Sequence, residues 1–295
     1  MTFVPIKGDG LNPLLYEDLE KLRFPLIASP KLDGIRALVR NGDLWTYRLK
    51  LVPNIHTRKL FRHMEGVDGE LIAYGDGKQF RDTSSAVMTR TGKPVIAFNL
   101  FDIHDEPDMP FHRRLKVLKK RWAKYDNSES LLVPQWEISS LADLKEIENA
   151  TVEEGYEGLI VRDPDGPYKY GRSTIKEGYL IKLKREYQEE AIVIGYTERM
   201  KNNNEQTRDE HGRAKRSSHK ANKTGHGDLG TLVVRSEKYY KDFEVGSGFT
   251  AAERADLWKR RKKLIGKMVT FKFNEKGDYD VPRFPVFHGF RDRRD

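Results

Sequence analysis

Cysteine is absent from the 295 residues. Disulfides, cysteine-ligated zinc and thiol catalysis are therefore excluded, which leaves lysine, aspartate, glutamate, histidine or a bound ion to carry any chemistry. Absent too is an apolar run long enough to span a bilayer, in keeping with a hydrophobic fraction of 37% and a mean hydropathy of −0.73. The opening Met1-Thr2-Phe3-Val4-Pro5 lacks a signal-peptide pattern, so a soluble protein of a reducing, cytoplasmic compartment is expected. Viral or phage coding stays open. There is no internal repeat, no glycine-rich phosphate loop and no metal-ligand spacing.

What is present in excess is positive charge. Lys and Arg number 54 against 45 Asp and Glu, giving +9 and a pI near 9.4. That balance suggests a polyanionic partner, although the many acidic residues rule out a simple basic tail. The length suits two domains better than one.

The chain is organised around Ser29-Pro30-Lys31-Leu32-Asp33-Gly34-Ile35-Arg36. Leu26-Ile27-Ala28 reads as a buried strand end and Asp33-Gly34 as a turn, so Lys31 falls at a strand-to-turn junction. An amine there can act as a nucleophile only when deprotonated. Free lysine titrates at about 10.4, so burial or neighbouring cations such as Arg36 must favour the neutral form. A solvated surface turn explains this short stretch equally well.

Asn12-Pro13 predicts a helix start carrying Leu15, Leu19 and Leu22. Strands over Ile35 to Val39 and Leu44 to Tyr47 flank Asn41-Gly42, a two-residue hairpin signal, and place Arg36 toward a cleft. Arg48 and Lys50 begin a basic loop. Thr57 to Glu65 predicts a helix ended by Gly66. In Asp68-Gly69-Glu70, a carboxylate entering an apolar strand suits a sugar hydroxyl or hydrated metal, or an exposed strand end. A helix from Phe80 offers a phosphate-binding N-terminus. Val95 to Ile103 is a strand in which Phe98 or Phe101 stacks on a base or fills a core. Leu115, Leu118 and Trp122 predict a helix with Arg113, Arg114, Lys119, Lys120 and Arg121 on a solvated face. Ser140 and Asp143 form a capping box.

Glu157-Gly158-Leu159-Ile160-Val161-Arg162 opens another strand with a carboxylate. In Leu180-Ile181-Lys182-Leu183-Lys184 the period of two aims both ammonium groups the same way, toward a phosphate or a wet sheet face. Beyond Tyr187 the pattern becomes all-β: Ala191 to Tyr196, Thr231 to Arg235, Phe243 to Val245 and Met268 to Phe273, with a helix over Thr250 to Ile265. Short strands of this kind fit an OB-type barrel. From 201 to 228 the only apolar residues are Ala214 and Ala221, so a long basic loop with Lys215, Arg216, Lys220 and Lys223 is expected to order on nucleic acid. His211, His219 and His226 in this polar stretch are not assigned to a metal.

Taken in order, Lys31 to Arg36, Asp68-Gly69-Glu70, Phe98-Asn99-Leu100-Phe101-Asp102, Glu157 to Arg162 and Leu180 to Lys184 resemble motifs I, III, IIIa, IV and V of the covalent nucleotidyltransferases, specifically the ATP-dependent DNA ligases. The resemblance implies an α+β fold: a nucleotidyltransferase (adenylation) domain over 1–186 with mixed or antiparallel sheets, then an OB-fold β-barrel over 187–295 with a basic latch at about 201–228. It implies that Lys31, with Asp33 and Arg36, forms a lysyl-AMP from ATP. Glu70 would hold the ribose, Phe101 stack on adenine, Lys182 and Lys184 bind the α-phosphate, and Arg283 orient pyrophosphate. Arg291 and Asp292 are further members of that last motif, though Asp292-Arg293-Arg294 follows it loosely. Glu157 and Glu70 would place Mg2+. Arg48, Lys50, Arg172, Lys215, Arg216 and Lys220 would contact nicked duplex DNA, with a monomer encircling it through the latch. Tyr47 stands where a relative has serine, so a hydroxyl contact there is lost.

A capping guanylyltransferase shares the lysine chemistry but uses GTP, and an RNA ligase uses a different end. A non-catalytic basic module explains the charge but leaves the paired lysines and the carboxylates without a task.

Overall fold

The computed structural model describes residues 3–74, 80–125, 128–208, 214–217, 219–276 and 281–291. The chain divides into two units, Met1–Arg185 and Glu186–Asp295.

In the first unit the order is β1 (Lys7–Leu11), α1 (Tyr16–Leu19), β2 (Leu26–Pro30), β3 (Ile35–Arg40), β4 (Asp43–Thr46), α2 (Ile55–Phe61), β5 (Val67–Ala73) and α3 (Phe80–Met88). There follow β6 (Ile96–Ile103), α4 (Phe111–Trp122), β7 (Ser130–Leu132), β8 (Trp136–Ile138), α5 (Leu141–Glu153), β9 (Gly158–Arg162), β10 (Arg172–Ser173) and β11 (Ile181–Lys184). Two sheets result, ordered β10-β1-β11-β9-β2-β8 and β4-β3-β5-β6-β7. Each is mixed: β1 runs parallel to β10 and β11, β6 runs parallel to β7, and the remaining pairs are antiparallel.

Alternation decides what each sheet buries. From the first, Ala28, Leu159, Val161 and Leu183 pack with Leu144 of α5. From the second, Ala37, Val39, Leu71, Phe98 and Leu100 pack with Phe61 of α2 and Leu118 of α4. Residues of opposite parity, including Ser29, Ile160, Lys182, Arg36 and Glu70, are left for a cleft. The β3–β4 hairpin turns at Asn41 and Gly42 with φ of 54° and 68°, as that dipeptide favours. The capping box on α5 is formed by Ser140 and Asp143.

Three local expectations are corrected. Helix α1 starts at Tyr16, not at Asn12, and is one turn long. Leu14, Leu15 and Tyr16 are exposed and only Leu19 of that turn is buried, so little packing supports a longer helix. The Asn12 side chain instead accepts a bond from the Leu14 amide at 3.2 Å. The next helix begins earlier than Thr57, because buried Asn54 caps it by accepting from the Thr57 amide at 2.8 Å. On α4, Arg114 does not join the solvated basic face. It is 1% exposed, and Nε and Nη2 donate to the two Asp102 oxygens at 2.8 and 3.2 Å, with Nη1 on the Gly166 carbonyl at 3.0 Å.

The second unit contains β12 (Tyr187–Asn202), β13 (Gln206–Arg208), β14 (Ala214–Arg216), β15 (Lys223–Arg235), β16 (Phe243–Val245), α6 (Ala251–Lys259), β17 (Met268–Lys276) and β18 (Pro282–Phe290). Its sheet runs β16-β15-β12-β17-β18, and a parallel bridge between Ser247 and Val286 brings its two edges together. Val193, Leu232, Val234, Val245, Val269 and Phe271 fill its interior, and Leu257 of α6 packs against them. The basic stretch is not a plain loop: β12 and β15 remain paired out to Asn202 and Lys223, and β13 pairs with β14. Asn204 ties its base, donating from Nδ2 to the carbonyls of Ser217 at 3.0 Å and His219 at 2.9 Å. Most of its described side chains, Asn204 and Asp228 excepted, face water, so the hydrophobic alternation that marks a strand in sequence is missing there.

Replacing Arg114 by Leu strands the Asp102 charge in the core. Denaturant melts should show a loss of about 3–5 kcal/mol. The double change Arg114→Leu/Asp102→Leu should recover most of it.

Candidate active site

The cleft between the two sheets of the first unit is lined by Lys7, Ser29, Lys31, Arg36, Tyr47, Glu70, Phe101, Ile160, Arg162 and Lys182, among others, around a cavity of about 270 Å3. Both sheets contribute because the chain crosses from β2 to β3 through Lys31-Leu32-Asp33-Gly34. At Gly34 a Cβ would lie 2.4 Å from the Leu71 carbonyl oxygen, so the crossing demands glycine.

Lys31 and Glu157 are 126 residues apart and joined by register. Pro30 pairs with Leu159, and just beyond it the Lys31 amide donates to the Gly158 carbonyl at 2.8 Å. The Lys31 ammonium meets Glu157 Oε2, and Lys184 Nζ reaches Oε1 at 3.0 Å. Burial opposes ionisation of Glu157, but Lys31 and Lys184 hold its carboxyl below the ordinary range. Gly158 has φ of 135°, and a Cβ there would lie 2.2 Å from the Leu183 oxygen.

Lys182 projects into the cavity from β11 with no hydrogen-bond partner among the described residues. Burial, and then the charges of Lys31, Arg36, Arg172 and Lys7, push its ammonium down from the ordinary lysine value. The two β11 lysines thus share a face but differ in task, since Lys184 is already bound to Glu157. Of the cations near Lys31, Lys184 is paired with Glu157 and Arg36 with Asp68.

Arg36 donates from Nε and Nη2 to the two Asp68 oxygens at 2.9 and 2.5 Å and from Nη1 to the Ile6 carbonyl at 2.5 Å. Tyr168 completes this buried knot by donating to Asp68 Oδ2 at 2.6 Å. Burial alone would lower Arg36, but Asp68 beside it keeps the guanidinium charged. Its Cζ stands 5.5 Å from the Phe101 ring centroid. Phe98 is fully buried in the core and Phe101 lines the cleft, which settles the choice between them. Glu70 sits opposite Arg36 in register, and burial pushes its carboxyl up to about 8 against the pull of Arg36 and Lys31.

Other candidates lie elsewhere. Asp33 stays in the crossing turn and is not a wall of the cavity. Arg48 and Lys50 are exposed after β4. Arg172 pairs with Asp9 at 2.5 Å and keeps 57% of its side chain exposed. Arg216 is spent partly on the hairpin base, donating to the carbonyls of Asn202 at 3.1 Å and Asn204 at 3.3 Å. Lys220 is exposed, and the Lys215 side chain lies outside the described residues. Arg283 belongs to β18 of the second unit, where Phe284 beside it takes φ of 52°. Arg291 pairs with Glu190, whereas His211 and Asp292-Arg293-Arg294 lie outside the described residues. His226 stands 3.3 Å from Asp228. Sequence reasoning missed Lys7 and the cleft-facing role of Arg162.

No group of three or more metal-ligating side chains occurs among the described residues. Of the two carboxylates expected to place Mg2+, Glu70 lines the cavity and Glu157 is held by Lys31 and Lys184.

A cleft between two sheets with a lysine in its wall, followed by a small barrel-like unit, is the arrangement of the covalent nucleotidyltransferases. The family model of the ATP dependent DNA ligase domain matches residues 14–184, and that of the DNA ligase OB-like domain matches 223–291. The crystal structure of Chlorella virus DNA ligase-adenylate is 30% identical, covers 99% of this chain and 100% of that one, and superposes with a TM-score of 0.56. A Lig E DNA ligase structure is 26% identical over 90% of this chain and 92% of its own, with a TM-score of 0.67. The DNA ligase of Haemophilus influenzae is 24% identical over 88% of this chain and 85% of its own length. African swine fever virus DNA ligase is 27% identical over 135 residues, only 32% of that protein. The chain belongs to the ATP-dependent DNA ligases. It is an enzyme that uses ATP and Mg2+ to join DNA.

Glu70 supplies a pH test. Its folded value near 8 lies above the unfolded one of 4.5, so wild-type stability is lost as pH rises from about 4.5 through 8. Glu70→Gln removes that loss. Its melting temperature should match wild type at pH 4 and exceed it by roughly 5–10 °C at pH 9.

Proposed function

We propose that the cleft is the adenylation site and that Lys31 Nζ is its nucleophile, in an enzyme that seals 3′-hydroxyl/5′-phosphate nicks in duplex DNA. One observation carries the reading: Lys31, Glu70, Phe101 and Lys182 come from two sheets to line one cavity.

Lys31 Nζ forms a bond to the α-phosphorus of ATP as the bond to pyrophosphate breaks, giving a phosphoramidate. The amine must first lose its proton to solvent as ATP binds, because Glu157, held ionised between Lys31 and Lys184, positions the ammonium but is too weak a base to keep that proton. Lys182, unpartnered in the cleft, donates to the α-phosphate oxygens and offsets their growing charge. Glu70 holds the ribose, and Phe101 carries the adenine with the Arg36–Asp68 pair as its buttress. Magnesium, which Glu157 and Glu70 would help hold, would supply charge neutralisation on the phosphate oxygens when bound. Arg283 orients pyrophosphate. The adenylate then passes to the 5′-phosphate at the nick, and attack by the 3′-hydroxyl expels AMP.

Arg48, Lys50 and Arg172 contact the nick strands, while Lys215, Arg216 and Lys220 act from the paired hairpin as the latch over 201–228 that encircles the duplex. The partition at 1–186 and 187–295 is functional in this reading. The protein works as a monomer, in the cytoplasm where ATP is supplied.

Incubation with Mg2+ and radiolabelled ATP should label the protein with an acid-labile adenylate, and the labelled protein should seal nicked duplex DNA. Lys31→Ala should abolish labelling. Labelling by GTP alone would refute the assignment, as would labelling that survives loss of Lys31.

A further inference from the structure

Arg162 takes no part in the chemistry above, yet its surroundings set it apart. It is 3% exposed, and its side chain makes no hydrogen bond or ion pair among the described residues. Its Nε is sealed from solvent without a partner. The two neighbouring guanidiniums each hold a carboxylate, Arg36 with Asp68 and Arg114 with Asp102. Arg162 has none. Its Cζ lies instead 4.6 Å from the Phe111 ring centroid and 5.3 Å from that of Phe101. Aromatic faces attract a cation but offer no lone pair to its N–H groups. Burial, with Asp102 pulling the other way, lowers its guanidinium to about 10.

Strand geometry says where those donors open. Ile160 and Arg162 share the cleft face of β9, two residues or roughly 7 Å apart. Ile160 stands opposite Ser29 on one side and Lys182 on the other, whereas Arg162 stands opposite Ile27. Arg162 is therefore a wall of the cavity one step further from the phosphate-facing Lys182, at the Phe101 end. A buried donor group kept unpaired in the free protein is costly unless a ligand supplies the acceptor.

The geometry points to Arg162 as a base-reading residue, whose guanidinium donates to a ring-nitrogen acceptor of the purine stacked on Phe101. This rests on the adenylation reading of the cleft. A guanidinium is a donor only, and N1, N3 and N7 of adenine are the ring acceptors it can meet. Each is deleted separately in 1-deaza-, 3-deaza- and 7-deaza-ATP.

The test is the rate of Lys31 adenylation by ATP and the three analogues, in wild type, Arg162→Met and Arg162→Lys. For wild type, one analogue should show a KM raised about ten- to hundredfold, the effect of one charge-assisted hydrogen bond, with kcat changed less. Arg162→Met should raise KM for ATP similarly and erase the extra penalty of that analogue. Arg162→Lys, which keeps a donor, should restore part of it. The assignment fails if wild type uses all three analogues as well as ATP, or if the penalty persists in Arg162→Met. Should Arg162→Met not fold, the wild-type series and Arg162→Lys still decide. Failure of ATP to label wild type would refute the adenylation reading itself, whereas labelling without any analogue penalty would refute only the role of Arg162.

Discussion

The first unit depends on one backbone constraint, the crossing of the chain from one sheet to the other between Pro30 and Ile35. Gly34 lies so close to the Leu71 carbonyl that no side chain fits. The Lys31 amide is bonded to Gly158 at 2.8 Å, which fixes the start of the crossing against β9. From this tether follow the placement of Lys31 beside Glu157 and the delivery of Arg36, two residues beyond the glycine, to the opposite wall. The cleft is the space that the crossing leaves between two independently packed layers.

Charge accounting explains how the cleft keeps its shape. Two arginines are neutralised deep in the unit by two-point contacts with Asp68 and Asp102, and each also binds a backbone carbonyl of a distant segment, Ile6 or Gly166. Two-point geometry suits arginine and not lysine, because the planar fork matches a carboxylate. Glu157 serves differently: it is shared by two lysines, Lys31 and Lys184, and stands just before β9. The two carboxylates that hold arginines are thus fully buried, and the one that holds lysines is less so.

Glu70 and Lys182 were legible in the sequence because each breaks an apolar strand where the period of two turns it to the cleft, and Lys31 and Glu157 because each stands at the end of an apolar strand next to a glycine or proline. Phe98 and Phe101 are three residues apart, so they must face opposite sides of a strand; the sequence alone does not say which side is core. Arg162 was hidden because it closes an apolar run as any solvated strand end does, and its burial comes from Phe111 of α4, a distant segment. Arg114 was hidden within a basic run, since its partner Asp102 precedes the helix. The paired arms of β12 and β15 beyond the barrel gave no hydrophobic signal, as both faces of that ribbon are wet.

That ribbon has a consequence for encounter with a duplex. A structureless loop must surrender backbone freedom when it closes, at about 1–2 kcal/mol for each residue fixed. Here the arms are paired as far as Asn202 and Lys223, and the Asn204 carboxamide already ties the base. Much of that ordering is therefore settled at folding. On the latch reading, association then draws on arms already paired by the same strands, β12 and β15, that build the second unit's sheet.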